Sequence, residues 1–194
     1  MNEQIRIISE EILANDWGTL TKVTFDYLRR NGQWQRQTRE VYDHGYAAAI
    51  LLYNLEAGTI ILTRQFRFPL AYMNEPAMMI EACAGLLDGD DPATCAKREA
   101  EEESGYRVDH VEHLFDAFMS PGSVTERVSF FFASYDANSK VSDGGGLHHE
   151  GEDIEVLEMS FDAAYAMIGT GEICNAPTIL LLQQAKIRGL FDKK

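Results

Sequence analysis

Apolar residues first fall on alternate positions. Ile5 and Ile7, then Val23, Phe25 and Tyr27, are spaced two apart, the period that turns one face of a β-strand toward a core. Asn31-Gly32 is the residue pair of a tight hairpin turn, and it leads into Trp34 and a further strand-like segment, 39–42. The first 43 residues therefore read as an antiparallel β arm. Beyond them the alternation gives way to continuous apolar runs over 47–53, 59–66 and 78–84, the first two joined at Glu56-Ala57-Gly58. Such runs suit strands buried on both faces.

Residues 92–104 favour helix, with Pro92 in the first turn, Asp90 or Asp91 as N-cap and Gly105 placed to end it. Strands resume over 108–118 and 124–135, where Phe130-Phe131-Phe132 reads as buried. A polar stretch, 136–153, with Gly144-Gly145-Gly146 inside it, is one long loop. After a strand at 154–157 come a helix capped by Ser160 or Asp162 and running through Met167, and a last helix over 177–188 with Leu180-Leu181-Leu182 in the core. The order is β-rich, one helix, β-rich, two helices. It predicts an α+β fold with a mixed sheet, not regular βαβ alternation.

The 194 residues suit one core, here a body over 44–194 behind the arm over 1–43. Seventeen Lys and Arg against 31 Asp and Glu leave a net charge of −14, which argues against nucleic acid and anionic membrane as partners. The longest apolar run, 46–53, falls far short of the roughly 18 residues of a membrane span. Met-Asn-Glu-Gln-Ile-Arg has neither the basic start nor the apolar core of a secretory signal, so the expected location is cytoplasmic. Cys83, Cys95 and Cys174 match no zinc or disulfide spacing and are expected to be free and buried. His148 and His149, adjacent on a loop with no cysteine partner, are expected to face solvent, and 88–91 to be a turn feeding the helix cap.

Candidate chemistry lies in the first helix. Glu99, Glu102 and Glu103 stand at i, i+3 and i+4 and share one face, where like charges cost a few tenths of a kcal/mol per pair. They also sit toward the helix C-terminus, which the macrodipole makes unfavourable for anions. Spacing alone admits two readings, a solvated acidic face or a site for a hard divalent cation, Mg²⁺ or Mn²⁺.

Around that face the residues Gly85, Arg98-Glu99-Ala100, Glu102-Glu103, Gly105 and Tyr106 resemble the box of the Nudix family: Gly, five residues, Glu, seven residues, Arg-Glu, an aliphatic-type residue, any residue, Glu-Glu, any residue, Gly and a hydrophobic. Asp91 stands where that pattern has its first Glu, and the spacer that follows is one residue shorter. In the family this acid partners the box arginine, here Arg98. Further segments, 39–43, 50–54, 64–67, 83–88, 119–122 and 152–156, are similar to the branch of the family that splits nucleoside-diphosphate sugars.

The resemblance implies a Nudix α/β/α sandwich behind an antiparallel β arm, a homodimer in which the arm reaches its partner, and hydrolysis of a diphosphate bridge. GDP-mannose is the first expected substrate, giving GMP and mannose 1-phosphate, and ADP-ribose the second; a non-catalytic nucleotide-binding dimer is the rival. It implies Glu99, Glu103, Glu152 and the carbonyl of Ala84 as ligands of Mg²⁺, with Mn²⁺ as the alternative ion. Glu152, Glu103 and Glu102 are the expected catalytic group, and Glu150 is the rival of Glu152. Arg39 and Arg67 would clamp phosphate oxygens, Trp17 would stack on the base, Glu40 would accept from its amino groups, and Glu126 would touch substrate near the metal. Where the branch carries a lysine after its Gly-Glu-Ile segment, this chain has Pro177, so one cationic contact is absent.

Overall fold

Backbone pairing follows the alternation in the arm. In the computed structural model, which describes residues 3–192, β1 (Ile5–Asn15), β2 (Thr19–Leu28) and β3 (Trp34–Asp43) form an antiparallel three-stranded sheet in the order β1-β2-β3. The described residues up to Tyr46, with Phe118–Arg127, make one compact unit, and Ala47–Ala117 with the described residues from Val128 onward make a second. Within the first unit, Tyr42 bridges Val124 in parallel fashion, and Asp43 accepts a hydrogen bond from Thr125 Oγ1 at 2.8 Å.

The second unit is built on β4 (Ala47–Asn54), β5 (Thr59–Phe66), β6 (Met78–Glu81), β7 (Cys83–Leu86), β8 (Glu112–Phe118), β9 (Arg127–Ser134) and β10 (Glu155–Ser160). They form one mixed sheet with the path β10-β5-β4-β9-β8, in which β4 and β9 run parallel. Ala48, Ile50 and Leu52 pack in one cluster with Cys95, Ala96 and Ala100 of α2 (Pro92–Ser104). Ala49 and Leu51 point the other way, and α4 (Ala176–Ile187) packs on the same strand with Leu181, Leu182 and Ala185 buried. With α3 (Phe161–Thr170) beside α4 and β10, helices cover both faces, as the continuous apolar runs require. The fold is the expected α+β sandwich.

The 78–84 run is two strands where the apolar pattern predicts one. β4 and β5 pair only where Leu52–Asn54 meets Thr59–Ile61 and then diverge; β6 fills the gap along β5, and β7 fills it along β4. At Ala82, between the two, the backbone N–H leaves the ladder and donates to Thr178 Oγ1 at 2.9 Å. Apolar content cannot reveal this switch, because both halves carry apolar side chains with no turn residue between them.

Other differences are local. A short helix, α1 (Phe68–Tyr72), with Pro69 in its first turn, forms where no helix is expected. The 124–135 strand begins only at Arg127, because Val124 pairs with the arm, and β8 begins at Glu112. Asp91 caps α2, accepting from the N–H groups of Ala93 and Thr94, and Ser160 caps α3. Cys83 and Cys95 are free and buried, and burial raises both thiols, Cys95 to about 11. Cys174 is exposed, against expectation, since the turn joining α3 to α4 lies outside the core. Among the described residues no helix is long and apolar enough to cross a membrane.

Candidate active site

The carboxylates of α2 lie against the sheet where it forks. Glu103 is 2% exposed; its Oε1 accepts from Gln65 Nε2 of β5 and its Oε2 from the backbone N–H of Ala84 on β7, both at 3.1 Å. Glu99, one turn earlier, is also buried and pairs with Arg98 at 2.8 Å. It lies so close over Gly85 that a Cβ there would overlap its carboxylate. Glu102 is less buried and takes Arg98 Nη1 at 3.1 Å.

Glu152 is brought to this face by the glycine loop. The N–H groups of Gly145 and Gly146 donate to the carbonyls of Glu103 and Glu102, at 2.9 and 3.0 Å, so the loop closes the last turn of α2. Gly105 and Gly144 both hold positive φ, and backbone meets backbone there so closely that neither admits a side chain. The loop then turns at 148–150, and Glu152 Oε2 accepts from the N–H of Leu147 at 2.8 Å.

Electrostatics tie the group together. Burial raises Glu103 to about 8, with Glu99 and Glu152 adding like charge, and burial raises Glu99 to about 7 against the pull of Arg98. Such a cluster favours a proton or a cation. Among the described residues no three His, Cys, Asp or Glu side chains form a ready cage for a metal. The donor chemistry still fits a hard cation: mutually repelling buried carboxylates, each turned onto amide or guanidinium hydrogens that stand where positive charge is wanted.

Arg98 is the electrostatic hub of the helix start. It reaches Asp90 at 3.3 Å, Glu99, Glu102 and the carbonyl of Leu86 at 3.0 Å. Its acidic loop partner is Asp90, which corrects the assignment to Asp91, whose carboxylate is committed to the helix cap. Counted back from Arg98, the seven-residue spacer ends at Asp90.

Arg67 follows β5, and its Nε donates to Glu81 Oε2 of β6 at 2.8 Å. Glu81, Gln65 and Asn175 were not singled out from sequence; the available signal was a lone carboxylate, Glu81, inside the apolar run 78–84. Glu150 and His149 are exposed and pair with each other, and His148 is exposed beside them.

The remaining candidates belong to the first unit. Arg39 and Glu40 line a cavity of about 630 Å³ with Ile5, Phe25, Tyr46 and Phe118. Arg39 donates to the carbonyl of Thr38 and to Gln37 Oε1. Trp17, 71% exposed, stacks on His44 with ring centres 5.2 Å apart. Glu126 is half-buried, and its carbonyl accepts from Met119 N–H.

Comparison with known proteins covers the chain. Residues 4–42 match the GDP-mannose pyrophosphatase NudK N-terminal domain and 43–186 the NUDIX domain. The GDP-mannose pyrophosphatase of Pectobacterium atrosepticum is 53% identical over 100% of both chains. That of Yersinia enterocolitica is 50% identical over 98% of this chain and 100% of its own, and that of Escherichia coli K12 is 47% identical over 99% and 100%. The crystal structure of an ADP compounds hydrolase has the same fold, with a TM-score of 0.72 and 18% identity over 96% of this chain and 97% of that one. A domain match that runs from the edge of the first core strand into the last helix, and takes in the acidic face of α2 on the way, makes this chain a member of the NUDIX family.

Proposed function

We propose that the chain hydrolyses the diphosphate bridge of a nucleoside-diphosphate sugar, GDP-mannose foremost, to GMP and mannose 1-phosphate. The observation that carries this reading is the convergence of Glu99, Glu103 and Glu152 on one face, where burial foremost and like charge after it raise the Glu99 and Glu103 carboxyls. Those carboxylates and the Ala84 carbonyl would hold Mg²⁺, with Mn²⁺ as the alternative, and Glu102 beside them. Bound there, the ion would neutralise the diphosphate and stabilise the charge that develops on the oxygens of the reacting phosphate. Glu152 takes the proton as the water oxygen bonds to phosphorus and the bridging P–O bond breaks; exposed Glu150 does not. Arg67 holds a phosphate oxygen with the Nη groups that its bond to Glu81 leaves over.

The arm contributes the nucleotide contacts in this reading: Arg39 and Glu40 from the walls of their cavity, Trp17 by stacking and Glu126 near the sugar phosphate. The molecule works as a homodimer, which the exposed Ile7, Ile8, Ile12 and Leu13 of β1 favour. A cytoplasmic setting suits the free thiols of Cys83 and Cys95. Pro177 in the first turn of α4, in place of a cation, favours ADP-ribose as the second reading.

The test is release of nucleoside monophosphate from GDP-mannose, other GDP-sugars and ADP-ribose, each with Mg²⁺ and with EDTA. GDP-mannose is expected to give the highest kcat/KM, and EDTA to abolish turnover. Turnover that persists in EDTA would refute the metal assignment, and ADP-ribose ahead of every GDP-sugar would move the enzyme to that substrate.

A further inference from the structure

Glu81 is a buried carboxylate, 4% exposed, on the last residue of β6. Both its oxygens are committed: Oε2 accepts from Arg67 Nε at 2.8 Å and Oε1 from Asn175 Nδ2 at 2.7 Å. Asn175 is the N-cap of α4, and its Oδ1 accepts from the N–H and Oγ1 of Thr178, at 3.0 and 2.7 Å. Thr178 Oγ1 accepts in turn from the N–H of Ala82, and Thr63 Oγ1 donates to the Glu81 carbonyl. The chain of bonds thus runs from an arginine 43% exposed, through the sheet fork, to the start of the last helix.

A buried carboxylate with one partly exposed cationic partner is a costly arrangement for stability alone, since removing both charges would save the desolvation. Its specific effect is geometric. A guanidinium held at Nε cannot rotate freely about its long stem, and both Nη groups stay outside that bond. We propose that Glu81 is a positioning residue that fixes the Arg67 guanidinium for a substrate phosphate, with Asn175 holding Glu81 in turn. This rests on the assignment of Arg67 as a phosphate clamp, and it adds a dependence on the N-terminus of α4.

The decisive experiment is a double-mutant cycle on the full chain, with GDP-mannose and Mg²⁺, alongside thermal unfolding of every variant. Glu81→Gln loses the charge and one of the two acceptors, turning an amide NH₂ toward a donor; it is expected to cost about 10- to 100-fold in kcat/KM. In an Arg67→Ala background the same change is expected to cost less than about 3-fold, because nothing is left to position. Asn175→Ser keeps an N-cap but loses the donor to Glu81, and is expected to show a smaller loss with the same dependence on Arg67. A second readout is independent of turnover: the Nε–H resonance of Arg67 is expected to be protected from exchange in the wild type and to broaden away in Glu81→Gln. Equal losses in both backgrounds, or an unimpaired Glu81→Gln, would overturn the proposal. An Arg67→Ala enzyme as active as wild type would remove the clamp itself and the positioning role with it. An impaired Arg67→Ala on which Glu81→Gln costs as much again would remove only the positioning role.

Discussion

In β4, Ala47 to Leu52 are all buried, whereas in β1 only Ile5 is even half-buried, although Ile7, Ile8, Ile12 and Leu13 are as apolar as anything in β4. β1 interleaves its large apolar side chains with Arg6, Ser9, Glu10 and Glu11, but those side chains are the same types as in β4; what leaves them exposed is the lack of cover. β4 lies in a seven-stranded sheet with α2 and α4 packed on it, while the arm has three strands and no helix. A hydrophobic pattern states what a strand needs, and the elements around it decide whether the need is met within the chain. The difference also divides the chemistry. Close burial carboxylates that repel one another require a rigid frame, which the second unit supplies, whereas the first unit offers an open, side-chain-lined cavity.

The largest test of that division is Glu103→Gln. The variant is expected to lose at least about 100-fold in turnover while its Tm holds or rises, because an amide relieves like charge in a buried site. A Tm that falls sharply would make Glu103 a structural residue of the frame. Next in size is Leu51→Ala, fully buried in β4, expected to cost about 2–5 kcal/mol in denaturant unfolding. A cost below 1 kcal/mol, by the same scale of roughly 2–5 for such truncations, would mean the core is looser than its burial implies.

Ile12→Asp makes the matching change on β1, at a residue 65% exposed. Light scattering is expected to fall from twice the 21.8 kDa chain mass to once, with the unfolding of the body little changed. A monomeric wild type would show instead that the open arm is covered by nothing of its own kind. The smallest effect is expected at Glu40→Ala in the arm cavity: a preference for GDP-mannose over ADP-ribose of about ten-fold, or ~1.4 kcal/mol, should shrink toward parity. An unchanged ratio would take base reading away from Glu40.

How much of this was legible depended on the range of the interactions. Helix α2 was legible because its signals are local: Pro92 in the first turn, an aspartate before it and Gly105 after it. The shared face of Glu99, Glu102 and Glu103 follows from the same 3.6-residue period. The partner of Arg98 was misassigned because Asp90 and Asp91 are adjacent, and only the structure shows one capping the helix and the other meeting the guanidinium. The break at Ala82 was hidden because it depends on Thr178, almost a hundred residues away. Glu81 was passed over for the same reason, since Arg67 and Asn175 reach it from separate elements.

The glycine loop has a consequence for the order in which the molecule is put together. Sheet strands β4 to β9 and helix α2 all precede residue 136 in the chain, so the frame that buries Glu99 and Glu103 can assemble before Glu152 arrives. Docking Gly144 to Gly146 on the end of α2 then completes the acidic cluster. The like charge that Glu152 adds opposes only this late closing of one loop, whereas the burial of Glu99 beside Glu103 is met earlier, when α2 packs on the sheet, so the charge needed for chemistry burdens folding at two separate stages.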